Sequence, residues 1–261
     1  MKCFIFLLIL FLGTFVYANP YTLLDNRAKN APTFETESEL VAYLTKDLSD
    51  DTSKARVLAA WMVYQMERDG YRHKQLIQYS NQNRPAPDPI PNDSFKTRIG
   101  TPQEFASLFS DLCASAGLET QVIHGYAGND IPTFRYQKPL FQAAEVMLDY
   151  WTGGNYSLQR YQAAWNAVKI NDKWELIDTY WMIANDLLFA AKNISSKTAM
   201  EHFFKKRIQR LPSHQKLSAG KRINNDYFCA KPDFFIKTHY PLENKWQLLP
   251  IPRTWGTFTN Q

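Results

Sequence analysis

The chain is poor in the residues from which many catalytic and metal centres are built. Its 261 residues hold three cysteines and five histidines, and no group of them has metal-ligand spacing with carboxylates. No glycine-rich phosphate loop and no nucleic-acid-binding motif occurs, so neither a cofactor nor a nucleic-acid partner is expected. Long apolar runs are missing beyond one at the N-terminus, which leaves no other segment fit to cross a membrane. Core-forming residues are plentiful: 45% of the chain is hydrophobic and 15% aromatic, which supports a substantial buried core rather than disorder. The length suits one large domain, or one domain with extensions.

The N-terminal run sets the expected compartment. Met1-Lys2 precedes apolar residues from Phe4 to Val16, and Val16-Tyr17-Ala18 reads as a small-residue cleavage site. Residues 1–18 are therefore expected to be a signal peptide, followed by an N-terminal extension and helix over 19–50 and the main domain over 51–261. Export to the periplasm or beyond the cell follows, with no transmembrane segment after cleavage. Cys113 and Cys229 then remain, and two free thiols are expected rather than their one possible disulfide. Seven basic residues lie between Phe203 and Arg222 with no acid among them. A solvated helix and loop is favoured there over a patch for anionic envelope polymers or lipid headgroups.

Periodicity outlines the domain. Helices are expected over 35–48 and 52–68, the second carrying Ala55, Leu58, Ala59, Met62 and Met66 on one face. A proline-rich loop over 84–91 leads to Thr101-Pro102-Gln103-Glu104. That tetrad makes a sound helix start, with Thr101 as N-cap, Pro102 in the first turn and Glu104 closing a capping box. The helix stripe Phe105, Leu108, Phe109, Leu112 and Ala116 takes Cys113 towards the core. A strand follows over 121–126. Two further strands, around Trp165-Asn166-Ala167 and Trp174-Glu175-Leu176, flank the polar turn Asn171-Asp172-Lys173. The insertion over 129–162 is long and aromatic, and includes Trp151 and Tyr156. Its aromatics either bury it against the body or line a ligand groove.

Several of these segments resemble the transglutaminase-like superfamily. Ala163-Ala164-Trp165-Asn166 is similar to its His-Ala-Trp-Asn strand, and Asp178 matches its aspartate. Arg98-Ile99-Gly100-Thr101-Pro102, with Ala106, Leu108 and Phe109, is similar to its nucleophile helix. Asp226-Tyr227-Phe228, Pro232 to Ile236, His239-Tyr240-Pro241 and Trp246-Gln247-Leu248-Leu249 resemble the kyphoscoliosis-peptidase-type branch. The resemblance spans roughly residues 50 to 250. It implies an α+β, papain- and transglutaminase-like fold, in which a nucleophile-type helix packs on an antiparallel sheet.

Active relatives use a Cys-His-Asp triad for acyl transfer. In this chain the cysteine position falls on Pro102 and the histidine position on Ala163, which leaves Asp178 alone. Thr101 is no substitute, because a threonine nucleophile needs an adjacent base. The resemblance thus implies a pseudoenzyme that binds a peptide, envelope polymer or partner protein in a degenerate cleft. Thr101, Gln103, His124, Trp165, Asn166, Trp151 and Tyr156 are its candidate lining residues. His239 lies far along the chain from the strand pair and is expected to be structural, not a metal ligand. Two alternatives stand beside this reading: an acyl-transfer enzyme with a displaced Cys113–His124 site, and a structural subunit whose cleft is filled by its own insertion.

Overall fold

The structure is a computed structural model, and it describes residues 19–69, 93–128, 162–185 and 221–259. The expected signal peptide, the proline-rich loop, nearly all of the aromatic insertion with Trp151 and Tyr156, and residues 203–220 of the basic segment lie outside the described residues.

Three helices open the fold: α1 (Thr22–Lys29), α2 (Glu37–Leu44) and α3 (Asp51–Gln65). Strand β1 (Glu67–Arg68) follows, then α4 (Ser94–Thr97), β2 (Ile99–Gly100) and the long α5 (Pro102–Ser115). Next come β3 (Thr120–Ala127), β4 (Gln162–Ile170), β5 (Lys173–Ile177) and β6 (Ile183–Asn185). The C-terminal part holds β7 (Lys221–Ile223), α6 (Pro232–Phe235), β8 (His239–Pro241) and α7 (Trp255–Thr259). The main sheet is antiparallel with strand order β5-β4-β3-β8. Helix α5 packs on β3 and β4 and also meets α3, which is the α+β, papain- and transglutaminase-like layering expected from the sequence.

Local chemistry explains the central hairpin. Ile170 pairs with Lys173, so only Asn171 and Asp172 turn the chain, and both have left-handed φ values of 49° and 64°. Asparagine and aspartate tolerate that region better than other side-chain-bearing residues, and two such residues give the turn whose twist matches a hairpin. Lys173 thus belongs to the strand rather than to the turn. Strand β4 is buried at nearly every position, because both of its faces are covered. Asn166 donates from Nδ2 to the Ala106 carbonyl of α5 at 2.9 Å. Trp165, on the opposite face, meets Phe235 and His239 edge-on.

Helix α3 departs from the single-faced expectation. Ala55 through Val63 are all buried, because α1, α5, β4 and β7 surround it. Arg56 lies in this stretch with no exposure, and its Nε and Nη2 each reach a different oxygen of Asp25 at 2.8 Å. Its guanidinium also lies over the rings of Tyr21 and Phe228. The pair ties α1, which has little apolar stripe of its own, to the core helix. Ala28 of α1 and Leu40, Val41 and Leu44 of α2 enter the same continuous core.

Removing one partner of a buried pair strands the other charge. Asp25→Ala is expected to cost about 3–5 kcal/mol in urea unfolding, whereas the volume-matched Asp25→Leu/Arg56→Met double variant loses far less. Equal losses would show that apolar packing, not the ion pair, holds α1.

Candidate functional site

The start of α5 carries a capping box. The Thr101 backbone N–H donates to Glu104 Oε2 at 2.8 Å, and the Glu104 N–H donates back to Thr101 Oγ1 at 3.5 Å. Pro102 occupies the first turn of the helix and is buried. It offers neither a nucleophile nor an N–H, and Thr101 is 2% exposed with its hydroxyl engaged as the cap. Gln103 is half-buried beside them. One turn on, the Phe105 ring meets Tyr180 edge-on at 5.2 Å, which links the helix start to the segment just beyond β5.

Asp178 begins that segment, one residue past the last β4–β5 pair. It is 1% exposed. Its Oδ1 accepts the Trp181 N–H at 2.8 Å, and its Oδ2 lies 3.0 Å from His239 Nε2. His239 is wholly buried, stacked on Phe235 at 4.0 Å and edged by Trp165 and Trp181. Its Nδ1 is 2.7 Å from Thr238 Oγ1. An ionised carboxylate only accepts, so in the neutral ring Nε2 carries the proton and Nδ1 accepts from the Thr238 hydroxyl.

This contact brings His239, expected to be structural and far along the chain from the strand pair, against Asp178. The residue lies 61 positions along the chain from Asp178, and the signal for it was the His-Tyr-Pro motif itself. Because β8 pairs with β3, Ala127 faces His239 and Gly125 faces Pro241, and the imidazole arrives from the neighbouring edge strand. Ala163, on β4, also pairs with Gly125. A Cβ at Gly125 would come within 2.4 Å of the Trp165 ring and 2.3 Å of the Tyr240 carbonyl. Glycine there lets Trp165 lie across the sheet beneath His239.

The other candidates separate. His124 is exposed on β3, opposite Ala164. Cys113 has no exposure, and burial pushes its thiol far above the ordinary range. A solvated histidine and a core thiol do not make a displaced nucleophile–base pair. Cys229 is also a free thiol, pushed up to about 12 by burial and by Glu175.

Two charged features flank these residues. Along the first turns of α5 a cavity of about 220 Å³ is lined by Glu37, Asp93, Glu104 and Asp111 with Phe95 and Leu108. Burial raises Glu37 and Asp111, and neighbouring carboxylates raise Glu37 further. On the other side, Lys221 of β7 donates from Nζ to the Met66 carbonyl at 2.5 Å. Arg68 of β1 donates to the Ile183 carbonyl of β6 and lies over the Tyr180 ring. Lys221 is thus half-buried rather than part of a solvated basic face. Burial and the Arg68 charge bring its ammonium down to about 8, against the pull of Glu67.

Comparison with known proteins gives this geometry a context. The sequence model of the transglutaminase-like superfamily matches residues 38–179. Kyphoscoliosis peptidase of Mus musculus is 24% identical over 91% of this chain and 28% of its own length. The Homo sapiens protein of the same name is 25% identical over 85% and 26%. Hillarin of Drosophila melanogaster is 24% identical over 87% and 22%. The chain therefore spans about a quarter of the length of these relatives.

Two outcomes are expected of the site residues. His239→Ala leaves the Asp178 carboxylate buried without its ring partner, and unfolding should show a loss of about 3–5 kcal/mol. Lys221 holds its proton less tightly when folded than the ordinary lysine value of 10.5. Stability should therefore rise with pH from about 8 towards 10.5, where the unfolded chain binds more protons, and Lys221→Met should flatten that rise in pH-dependent thermal melts.

Proposed function

We propose that this chain, which belongs to the transglutaminase-like superfamily, is an exported pseudoenzyme of the kyphoscoliosis-peptidase-type branch that binds a peptide in its degenerate cleft. The observation that carries this reading is Pro102 at the capped start of α5. A catalytic thiol at a helix N-terminus draws its reactivity from the dipole and from free N–H groups. Here the residue has no thiol, and the Thr101 hydroxyl already accepts the Glu104 N–H. Asp178 supports the same reading, since both of its oxygens are engaged within the fold. Loss of either nucleophile or base alone removes most of a triad's rate, because its members act as a unit.

A peptide is preferred to an envelope polymer or a folded partner because two of the relatives are named peptidases. A cleft of that ancestry keeps its shape more readily than its chemistry. Export rests on the N-terminal sequence, Met1-Lys2 followed by an apolar run and small residues. Among the described residues no helix is long and apolar enough to cross a membrane. The displaced-site alternative has against it the burial of Cys113 and the exposure of His124.

The test is an assay of the wild-type protein for amine incorporation into a glutamine peptide and for peptide hydrolysis, beside a Pro102→Cys/Ala163→His variant. The wild type should give no signal above buffer, and the double variant should exceed it by at least about tenfold. Turnover by the wild-type protein that survives repurification overturns the pseudoenzyme reading.

A further inference from the structure

We propose that Arg68 and Lys221 form a carboxylate-binding subsite beside the degenerate centre, and that its ligand is an acidic peptide segment. The proposal rests on the peptide-binding reading above and adds the chemistry that selects the peptide.

Both cations are held in place, yet neither is neutralised. Among the described residues neither has a carboxylate oxygen within 4 Å, although Arg56, Lys96, Lys169 and Lys245 all do. Each spends a donor on a backbone carbonyl, Lys221 on Met66 and Arg68 on Ile183. An ammonium has three donors and a guanidinium five, so among the described residues most of these donors are not spent. Arg68 is exposed, and its guanidinium carbon lies 5.2 Å from the Tyr180 ring centroid. A guanidinium near a ring face keeps its N–H fork, which can meet a carboxylate with two parallel bonds.

The two side chains also sit close enough to feel one another. Burial and the Arg68 charge bring the Lys221 ammonium down against Glu67, and burial lowers Arg68 against Tyr180 and Asp178. A half-buried ammonium beside a second cation is costly, and a bound carboxylate would relieve both its burial and the repulsion. The site adjoins the cleft. Tyr180, under Arg68, is the residue whose ring meets Phe105 in the first turn of α5, two positions past Asp178. The competing explanation is mechanical: the two cations merely clasp β1 to the β6–β7 pair through backbone carbonyls. That role needs the donors but not an anion.

Titration calorimetry with an acetylated, amidated hexaglutamate peptide and its hexaglutamine counterpart separates these explanations. The glutamate peptide should bind wild-type protein at least about tenfold more tightly than the glutamine peptide. Arg68→Met and Lys221→Met should each cut that affinity about tenfold, with Lys221→Arg retaining it. Raising the ionic strength from about 0.02 to about 0.3 M should weaken binding, and NMR titration of Lys221 Nζ should show its pKa rising when the peptide is bound. Arg68→Gln, at an exposed position, keeps the test open if Lys221→Met fails to fold. Equal binding of the two peptides overturns the carboxylate subsite but leaves peptide binding standing. No binding of the glutamate peptide, or binding unmoved by all the variants, also overturns the subsite. Turnover of a peptide by wild-type protein would instead strike the pseudoenzyme reading.

Discussion

The carboxylate of Asp178 joins parts of the chain that no local rule would bring together. Its own backbone N–H donates to the Tyr227 carbonyl. One side-chain oxygen caps the turn at Trp181, and the other meets His239 on a strand from the far end of the sequence. Around that hub Trp165, Trp181, Tyr227 and Phe235 exclude water from the imidazole. In so apolar a setting an unpaired carboxylate or ring would be heavily penalised, so each member requires the others. The edge strand β8, the β5 terminus and the segment before α6 are fixed relative to one another by this one polar contact inside an aromatic shell.

What the sequence made legible was local. The capping box over Thr101 and Glu104, the hairpin through Asn171 and Asp172, and the inward stripe of α5 each depend on residues within a few positions of one another. The fold class followed from motifs spread in order along the chain. Less was legible where tertiary contact decides. Helix α1 carries too few apolar residues to announce itself, and it is held by an aspartate whose partner lies 31 positions away. Helix α3 looked one-faced because alanines and Arg56 read as weak or polar, yet it is enclosed on nearly every side. His239 was recognised within a motif but could not be placed, since only the β3–β8 register brings its ring to Asp178.

Charge is distributed unevenly about α5. Carboxylates gather along one flank of α5, where burial raises Glu37 and Asp111 and the charges of Asp111 and Asp93 raise Glu37 further. Arg68 lies over the Tyr180 ring, which meets Phe105 of the same helix. The described ion pairs elsewhere are local or structural, and the Lys169–Glu119 and Lys245–Glu243 pairs at the surface contribute little to stability. The buried Arg56–Asp25 pair differs in kind, because its two bonds have no solvent to compete with them.

At the start of α5 the reciprocal bonds of Thr101 and Glu104, with Pro102 in the first turn, stabilise the helix by an amount of the order of 1 kcal/mol for a good cap. The Asp178 carboxylate is likewise not orphaned, because the Trp181 N–H and His239 hold its two oxygens. Both places commit polar groups to the fold: the Thr101 hydroxyl to the cap, the Asp178 oxygens to the turn and the imidazole. A ligand reaching either would compete with a buried native bond rather than with water, so packing and any chemistry at these positions draw on the same groups.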